Sequence, residues 1–246
     1  MWNNNGEETG NGRFLMAAIA ASAVSVVFAC VVFTRFARTG RPAFAAWAAG
    51  LLIFAAAAGC QAIGEHSGFN APLFRAFYLL GGVLGVIWLS MGTLYLLAPR
   101  RVARIATLVL VVVTLVLAVD AAVVSVDGSR LATAAGVLGD AIPQGSPLHV
   151  GAVVLNILGT LILVGGSGWS AYRLVRDHGG ADRVVCKLLL TAGAFVIAAG
   201  FSAAKLAGAS LDTLGVYEAV GIAVMFAGFL SLGRVRRFGT RTAPGP

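Results

Sequence analysis

Seven apolar runs dominate this sequence, and each is close to the length that crosses a lipid bilayer. They cover residues 14–34, 43–64, 73–97, 103–125, 149–172, 185–206 and 213–232. A spanning helix needs about 20 mostly apolar residues, and it satisfies its backbone hydrogen bonds internally where no water is present. The runs therefore predict an all-α, polytopic membrane protein that folds as one seven-helix bundle.

The composition of the chain agrees with this prediction. Hydrophobic residues make up 59% of the 246 residues and charged residues 11%, and the mean hydropathy is +0.89. An average soluble domain is about 45–50% apolar and about 25% charged. A net charge of +8 would indicate a nucleic-acid partner in a soluble protein. Here the basic residues lie at the ends of apolar runs, so we expect the lipid bilayer, and no nucleic acid, as the partner.

The basic residues also predict the orientation of the helices. With the first, third and fifth connections and the C-terminus on one side, that side holds all but four of the 18 lysines and arginines; the exceptions are Arg13, Arg75, Arg130 and Lys205. Connections rich in lysine and arginine stay in the cytoplasm. We therefore expect a protein of the bacterial cytoplasmic (inner) membrane with its N-terminus outside and its C-terminus inside. Its expected regions are a disordered external tail at 1–12, the membrane domain at 13–233 and a basic cytoplasmic tail at 234–246.

Proline and glycine add detail to the predicted bundle. All seven prolines are expected in connections or in the tail, which predicts continuous helices. Glycines are frequent in the third, fifth, sixth and seventh helices, where small residues let neighbouring backbones approach. The longest connection, 126–147, is predicted to be external, and its LATAAGVLGDAI stretch is compatible with a short helix on the membrane surface.

Polar residues inside the apolar runs concentrate at one end of the predicted bundle. A charge at mid-membrane costs about 2.5–3.5 kcal/mol on insertion scales, so such residues are expected to pair or to face a wet cavity. Spacings of three, four or seven residues place several of them on shared helix faces. We predict that they line an outward-facing polar pocket formed by Gln61, Glu65, Arg75, Tyr78, Asp120, Asn156, Lys205, Tyr217 and Glu218. The alternative for Glu65, Arg75 and Lys205 is that they reach out to the lipid headgroups.

Two histidines and one lysine raise the question of a cofactor. His66 and His149 are both expected near the outer surface and could ligate a metal or a haem, although no local histidine spacing supports such a site. Lys205 invites comparison with the retinal-binding lysine of the seven-helix rhodopsins. That lysine belongs to the middle of the seventh helix, whereas Lys205 ends the sixth, so the sequence argues against retinal.

Three functions remain open from the sequence. The favoured one is binding of a small polar ligand or ion in the outer pocket, for transport or for receptor-like sensing. The second is a non-catalytic subunit of a larger membrane complex, and the third is a redox protein that holds haem or a metal at His66 and His149. The sequence shows no catalytic motif and leans against an enzyme.

One segment carries a resemblance to known sequences. The stretch LFRAFYLLGGVLGVIWLSMGTLYLLAPRR, at 73–101, resembles a segment of uncharacterised seven-helix membrane proteins of high-GC bacteria. The resemblance covers about one helix with its flanks. It implies a seven-helix architecture and brings no function with it.

Overall fold

The computed structural model describes residues 5–133, 136–176, 181–206 and 211–238. In these ranges the chain is almost entirely helical and contains no β-strand. The long helices are α1 (Asn5–Thr39), α2 (Pro42–Ser67), α3 (Ala71–Leu97), α4 (Arg100–Val123), α5 (Pro147–Thr160 continued by Leu161–Gly165 and Gly166–Arg176), α6 (Ala181–Leu206) and α7 (Leu211–Phe238).

Six stretches of the described helices are long and apolar enough to cross a membrane. They are Leu15–Thr39, Pro42–Ser67, Ala71–Leu97, Arg100–Val123, Pro147–Ser170 and Thr213–Ser231. Helix α6 has 26 residues, and its described apolar part is the shorter stretch Leu188–Gly200. The prediction of an all-α chain is therefore confirmed for the described residues, and the six long apolar helices are consistent with a helical membrane protein.

Prolines open several of the helices. Pro42, Pro72 and Pro147 lie in the first turn of α2, α3 and α5, where a missing N–H costs nothing and the fixed φ suits a helix. The expectation that every proline lies in a connection is wrong for these three. Side-chain caps complete two of the starts, because Asn70 accepts a hydrogen bond from Leu73 N and Ser146 accepts one from His149 N.

Helix α1 starts inside the segment that the sequence predicts to be disordered. Its helical backbone begins at Asn5, and residues 1–4 lie outside the described part. The predicted cytoplasmic tail is described only as far as Phe238, the end of α7.

Six of the helices form a ring. In order around the ring, α1 packs on α2, α2 on α3, α3 on α5, α5 on α6, α6 on α7, and α7 on α1. Helix α4 packs outside this ring against α3 and α5, and most of its side chains face outward. Two hydrogen bonds between side chains tie it to α3, from Trp88 Nε1 to Thr114 Oγ1 and from Thr107 Oγ1 to Tyr95 Oη, both at 3.1 Å.

Glycines set the closest helix contacts, as the sequence predicts. A Cβ added at Gly159 would lie 2.9 Å from the Ile87 backbone, and one added at Gly193 would lie 2.4 Å from the Gly221 carbonyl oxygen. These glycines therefore allow α5 to approach α3 and α6 to approach α7. Gly165 has no neighbour within 4 Å of an added Cβ, so among the described contacts it does not serve this purpose.

The two ends of the ring differ in their packing. We call the end that carries the connection 124–146 the long-loop end. Toward the opposite end, apolar side chains from six helices pack into one cluster that leaves a space of about 30 Å³ at the centre of the ring; among them are Phe28, Leu51, Leu89, Leu163 and Met225. The long-loop half contains a much larger space.

Candidate functional site

A cavity of about 460 Å³ lies in the long-loop half of the ring. It falls in the range of about 300–1,000 Å³ that is usual for small-molecule sites. Its wall comes from α2, α3, α5, α6, α7 and the long connection, and most of it is apolar. The lining residues used below are Phe54, Phe77, Tyr78, Val137, Leu138, Val153, Asn156, Ile157, Thr160, Ala194, Ala198 and Glu218.

Glu218 is the acidic residue of the cavity wall. It lies about two turns into α7 and is 4% exposed. Its Oε2 atom is buried and has no hydrogen-bond partner among the residues that the structure describes. A buried polar atom without a partner costs about 1–3 kcal/mol. Ionisable residues inside a membrane commonly mark functional sites, so Glu218 is a candidate contact for a ligand.

Two predicted site residues of α2 lie near Glu218. Gln61 is fully buried, and its Nε2 donates a hydrogen bond of 2.8 Å to Glu65 Oε1. The Glu65 carboxylate is close enough to Glu218 for their charges to interact. A Cβ at Gly215, one turn before Glu218, would lie 3.4 Å from Gln61 Nε2. The structure therefore places Gln61, Glu65 and Glu218 near one another, where α2 faces α7.

Asn156 forms the polar part of the wall on α5. Its Nδ2 donates hydrogen bonds to the carbonyl oxygen of Gly82 on α3 and, at 2.8 Å, to that of Ala152 on its own helix. Gly82 belongs to a π-helical stretch, Tyr78–Gly85, in which the wider helix turn leaves carbonyl groups without their usual partner. Asn156 therefore fixes α5 to α3 through this stretch, and the cavity borders the contact.

Tyr78 lines the cavity where α3 meets the long connection. It is 4% exposed, and its Oη lies 3.4 Å from His149 Nδ1. Gly139 of the connection packs on the tyrosine ring with a φ of +127°, a conformation that other residues rarely adopt. Tyr78 and His149 are thus joined, and the connection covers them.

The long connection folds inward over the cavity. It contains a short 3₁₀ helix at Gly128–Ala132 and a turn at Gly136–Asp140 in which Gly139 leaves the helical conformation; residues 134–135 are outside the described ranges. Val137, Ala141 and Ile142 are buried in the same apolar cluster as α3 residues, and Val137 lines the cavity. The segment is therefore a cover of the bundle in place of the surface-lying helix that the sequence allowed, because its apolar residues bury themselves against α3.

An exposed turn begins this cover. The Asp127 carboxylate accepts hydrogen bonds from the Ser129 hydroxyl and backbone N–H, and it pairs with Arg130 at 3.2 Å. The bonds from Ser129 are the main reason that the pKa of Asp127 lies below its usual range, and the Arg130 charge adds to them. The carboxylate is solvent-exposed, so the turn is a local structure at the mouth of the bundle and not part of the cavity.

Two predicted pocket residues instead hold the backbone in place. Arg75 Nη2 donates a 2.6 Å hydrogen bond to the carbonyl oxygen of Val124, just after α4 ends. Asp120 Oδ2 accepts a 2.9 Å hydrogen bond from Leu148 N in the first turn of α5. A carboxylate at a helix N-terminus is favoured by the unpaired N–H groups and the helix dipole. Neither residue is part of the cavity wall.

Tyr217 and Lys205 complete the predicted pocket residues. Tyr217 is half-buried and packs against α6, since a Cβ added at Gly200 would lie 2.4 Å from Tyr217 Cβ. Lys205 belongs to α6, and its side chain lies outside the described part of the structure.

The histidines do not form a recognisable metal centre. His66 is exposed at the end of α2, and His149 is half-buried beside Tyr78. Among the described residues no group of three or more histidine, cysteine, aspartate or glutamate side chains is placed to hold a metal ion. A metal or haem role for His66 and His149 stays a prediction.

The sequence interpretation did not include several wall residues. Thr160 lies one helical turn after Asn156, so the i, i+4 spacing on one helix face could have identified it. Val137 and Leu138 carried no signal, because apolar residues in a connection do not show what they cover. The known protein-family models, curated proteins and solved structures give no match to this chain.

Proposed function

We propose that this chain is a seven-helix membrane protein that binds a small ligand in the cavity of its long-loop half. The observation that supports this most directly is Glu218, which lines a cavity of ligand size and has a buried oxygen without a described partner. A ligand group that carries a positive charge or donates a hydrogen bond would supply the missing partner. The proposed contact is therefore between the Glu218 carboxylate and an ammonium or hydroxyl group.

The rest of the wall limits the body of the ligand. Phe54, Phe77 and aliphatic side chains form most of it, so the part of the ligand away from Glu218 is expected to be apolar. This proposal differs from the small polar ligand or ion that the sequence favours, because most of the cavity wall is apolar. The amide nitrogen of Asn156 is already bonded to two carbonyl groups, so we assign it to holding the wall in place.

The orientation of the site follows from the charges of the connections. Arg38 and Arg41, as well as Arg100 and Arg101, lie at the end opposite the long loop. The positive-inside rule places that end in the cytoplasm and the cavity in the outer half of the membrane. Packed side chains narrow the space in the ring to about 30 Å³ toward the cytoplasmic end, so the cavity is much wider in the outer half in this conformation. Such a site suits a receptor-like binding protein and equally one state of a transporter.

Binding of simple amines to purified protein in mild detergent tests the proposal. The probes are octylamine, 1-octanol and octanoate, which share a chain and differ in the charge of the head. We expect octylamine to raise the unfolding temperature, octanol to do so less, and octanoate not at all. At about 100 times its Kd, a ligand stabilises the native state by about 2.7 kcal/mol, which is roughly 5–11 °C for a chain of this length.

A matched pair of acid-to-amide variants assigns the effect to the cavity. Glu218→Gln should remove the octylamine shift, whereas Asp127→Asn, in the exposed turn, should keep it. The proposal fails if octylamine leaves the wild-type unfolding temperature unchanged, or if it stabilises Glu218→Gln as much as the wild type. The roles as a subunit of a larger complex and as a redox protein stay predictions from the sequence.

A further inference from the structure

The cavity reaches the outer surface of the bundle between α5 and α6. Val153 and Ile157 of α5 line the cavity and are nevertheless 44% and 56% exposed. Ala194 and Ala198 form the facing wall on α6, and their small side chains leave space beside Ile157. The wall residues of α5 are thus also surface residues, which makes this side of the cavity a gap in the ring.

The geometry of α5 explains why a gap forms there. Helix α6 packs on α5 mainly through Leu161–Gly165 and Gly166–Arg176, beyond the cavity. The stretch Leu161–Gly165 is π-helical, and such turns commonly bend a helix. The part Pro147–Thr160 packs instead on α3 and α4. Both parts of α5 therefore pack on α3, but it is the second part that packs closely on α6, and the gap opens beside the first part.

The gap faces lipid and not water. Ile157 lies ten residues after Pro147, which is about 15 Å along the helix and therefore at the depth of the acyl chains. The side chains beside it on the outer face of α5, Val154 and Leu158, are apolar and exposed, as expected for a surface in contact with lipid. Toward the aqueous side, Val137 and Leu138 of the long connection close over the cavity.

We propose that the ligand is a membrane-dissolved amphiphile with a cationic amine head, and that it enters sideways from the bilayer through the gap beside Val153 and Ile157. This inference rests on the proposed function and names its ligand class and route. The amine would pair with Glu218, and the hydrocarbon chain would contact the apolar wall and extend through the gap. An amphiphile already in the leaflet avoids both the cover formed by the connection and the cost of bringing its chain out of water.

Filling the gap should slow the entry of the amine. In protein reconstituted into lipid nanodiscs, the probe is dodecylamine, and its arrival is followed by the change in the infrared carboxyl band that is absent from Glu218→Gln. We expect the double variant Val153→Phe with Ile157→Phe to slow association about tenfold, because the added rings obstruct the path of the amine into the cavity. The control is Val154→Phe with Leu158→Phe, which adds the same rings to lipid-facing positions outside the cavity and should leave the rate unchanged.

The outcomes separate the route from the site. Unchanged association in the gap-filled variant, or equal slowing in the control, would overturn the lateral route. If the wild type binds octylamine in detergent but never binds dodecylamine in nanodiscs, the proposal that the ligand is a membrane-dissolved amphiphile is wrong, and the proposed function remains intact. If the wild type binds neither amine, the proposed function fails and the inference fails with it.

Discussion

Replacing Glu218 by methionine should stabilise the protein in the absence of ligand. The carboxylate is 4% exposed, its Oε2 has no hydrogen-bond partner among the described residues, and the acidic Glu65 lies nearby. Methionine has a similar length and removes both the unpaired polar atom and the charge. The unpaired atom alone costs about 1–3 kcal/mol, so we expect a gain of about 2 kcal/mol. For a chain of this size that is roughly 4–8 °C in the unfolding temperature.

Asn156 provides the matched comparison, because it is a polar wall residue whose amide nitrogen already has its hydrogen-bond partners. Asn156→Leu removes the hydrogen bonds to the Gly82 and Ala152 carbonyl groups. Hydrogen bonds between membrane helices are worth about 0.6 kcal/mol on average, with a maximum near 1.7. We therefore expect a loss of about 1–2 kcal/mol, or roughly 2–8 °C. Two substitutions of a polar wall residue by an apolar one should thus shift stability in opposite directions.

The assay is thermal unfolding of the purified variants in one detergent, followed by circular dichroism and by the fluorescence of a thiol-reactive dye. The essential result is the sign for each variant. If Glu218→Met lowers the unfolding temperature as much as Asn156→Leu does, the carboxylate holds the helices together and its unpaired oxygen is not available to a ligand. A gain in stability together with loss of octylamine binding is the pattern expected when a site is kept at the expense of stability.

Two further predictions concern packing and orientation. Gly159→Val should lower the free energy of unfolding by about 1–3 kcal/mol, because a Cβ there would lie 2.9 Å from the Ile87 backbone. Gly165→Ala, which has open space around it, should leave stability unchanged. Thermal unfolding compares the two variants, and equal losses would contradict the close approach of α5 to α3. In a cysteine-free background, Ser129→Cys should react with a membrane-impermeant maleimide in intact cells and Arg101→Cys only after permeabilisation; the reverse pattern would invert the proposed orientation.

The helices were predictable from the sequence because their cause is local. Hydrocarbon requires runs of about 20 apolar residues, so the predicted 73–97 and the observed Ala71–Leu97 differ by two residues at one end. The starts were placed slightly late because prolines were read as ends of connections, although proline is well suited to the first turn of a helix. The π-helical stretches of α3 and α5 had no signal in the sequence analysis.

The sequence indicated the end of the bundle at which the polar residues lie, but not which of them line the cavity. Polar residues are costly in lipid, so their clustering toward one end could be read directly from the sequence. Which of them face a cavity depends on partners distant in the chain. Asp120 is engaged by the start of α5 and Arg75 by the end of α4, whereas Glu218 and Asn156 remain on the wall.

The sequence by itself determined that the chain forms apolar helices long enough for a membrane, with their polar residues toward one end, because the cost of polar groups in hydrocarbon acts on each residue separately. Only the tertiary structure decided that six helices form a ring with α4 outside it, and that α5 parts from α6 beside Ile157. Lipid and helix interiors are equally apolar, so hydrophobicity cannot distinguish a residue that faces lipid from one that faces another helix. That choice is made by close packing at positions such as Gly159, and the cavity with Glu218 in its wall is its result.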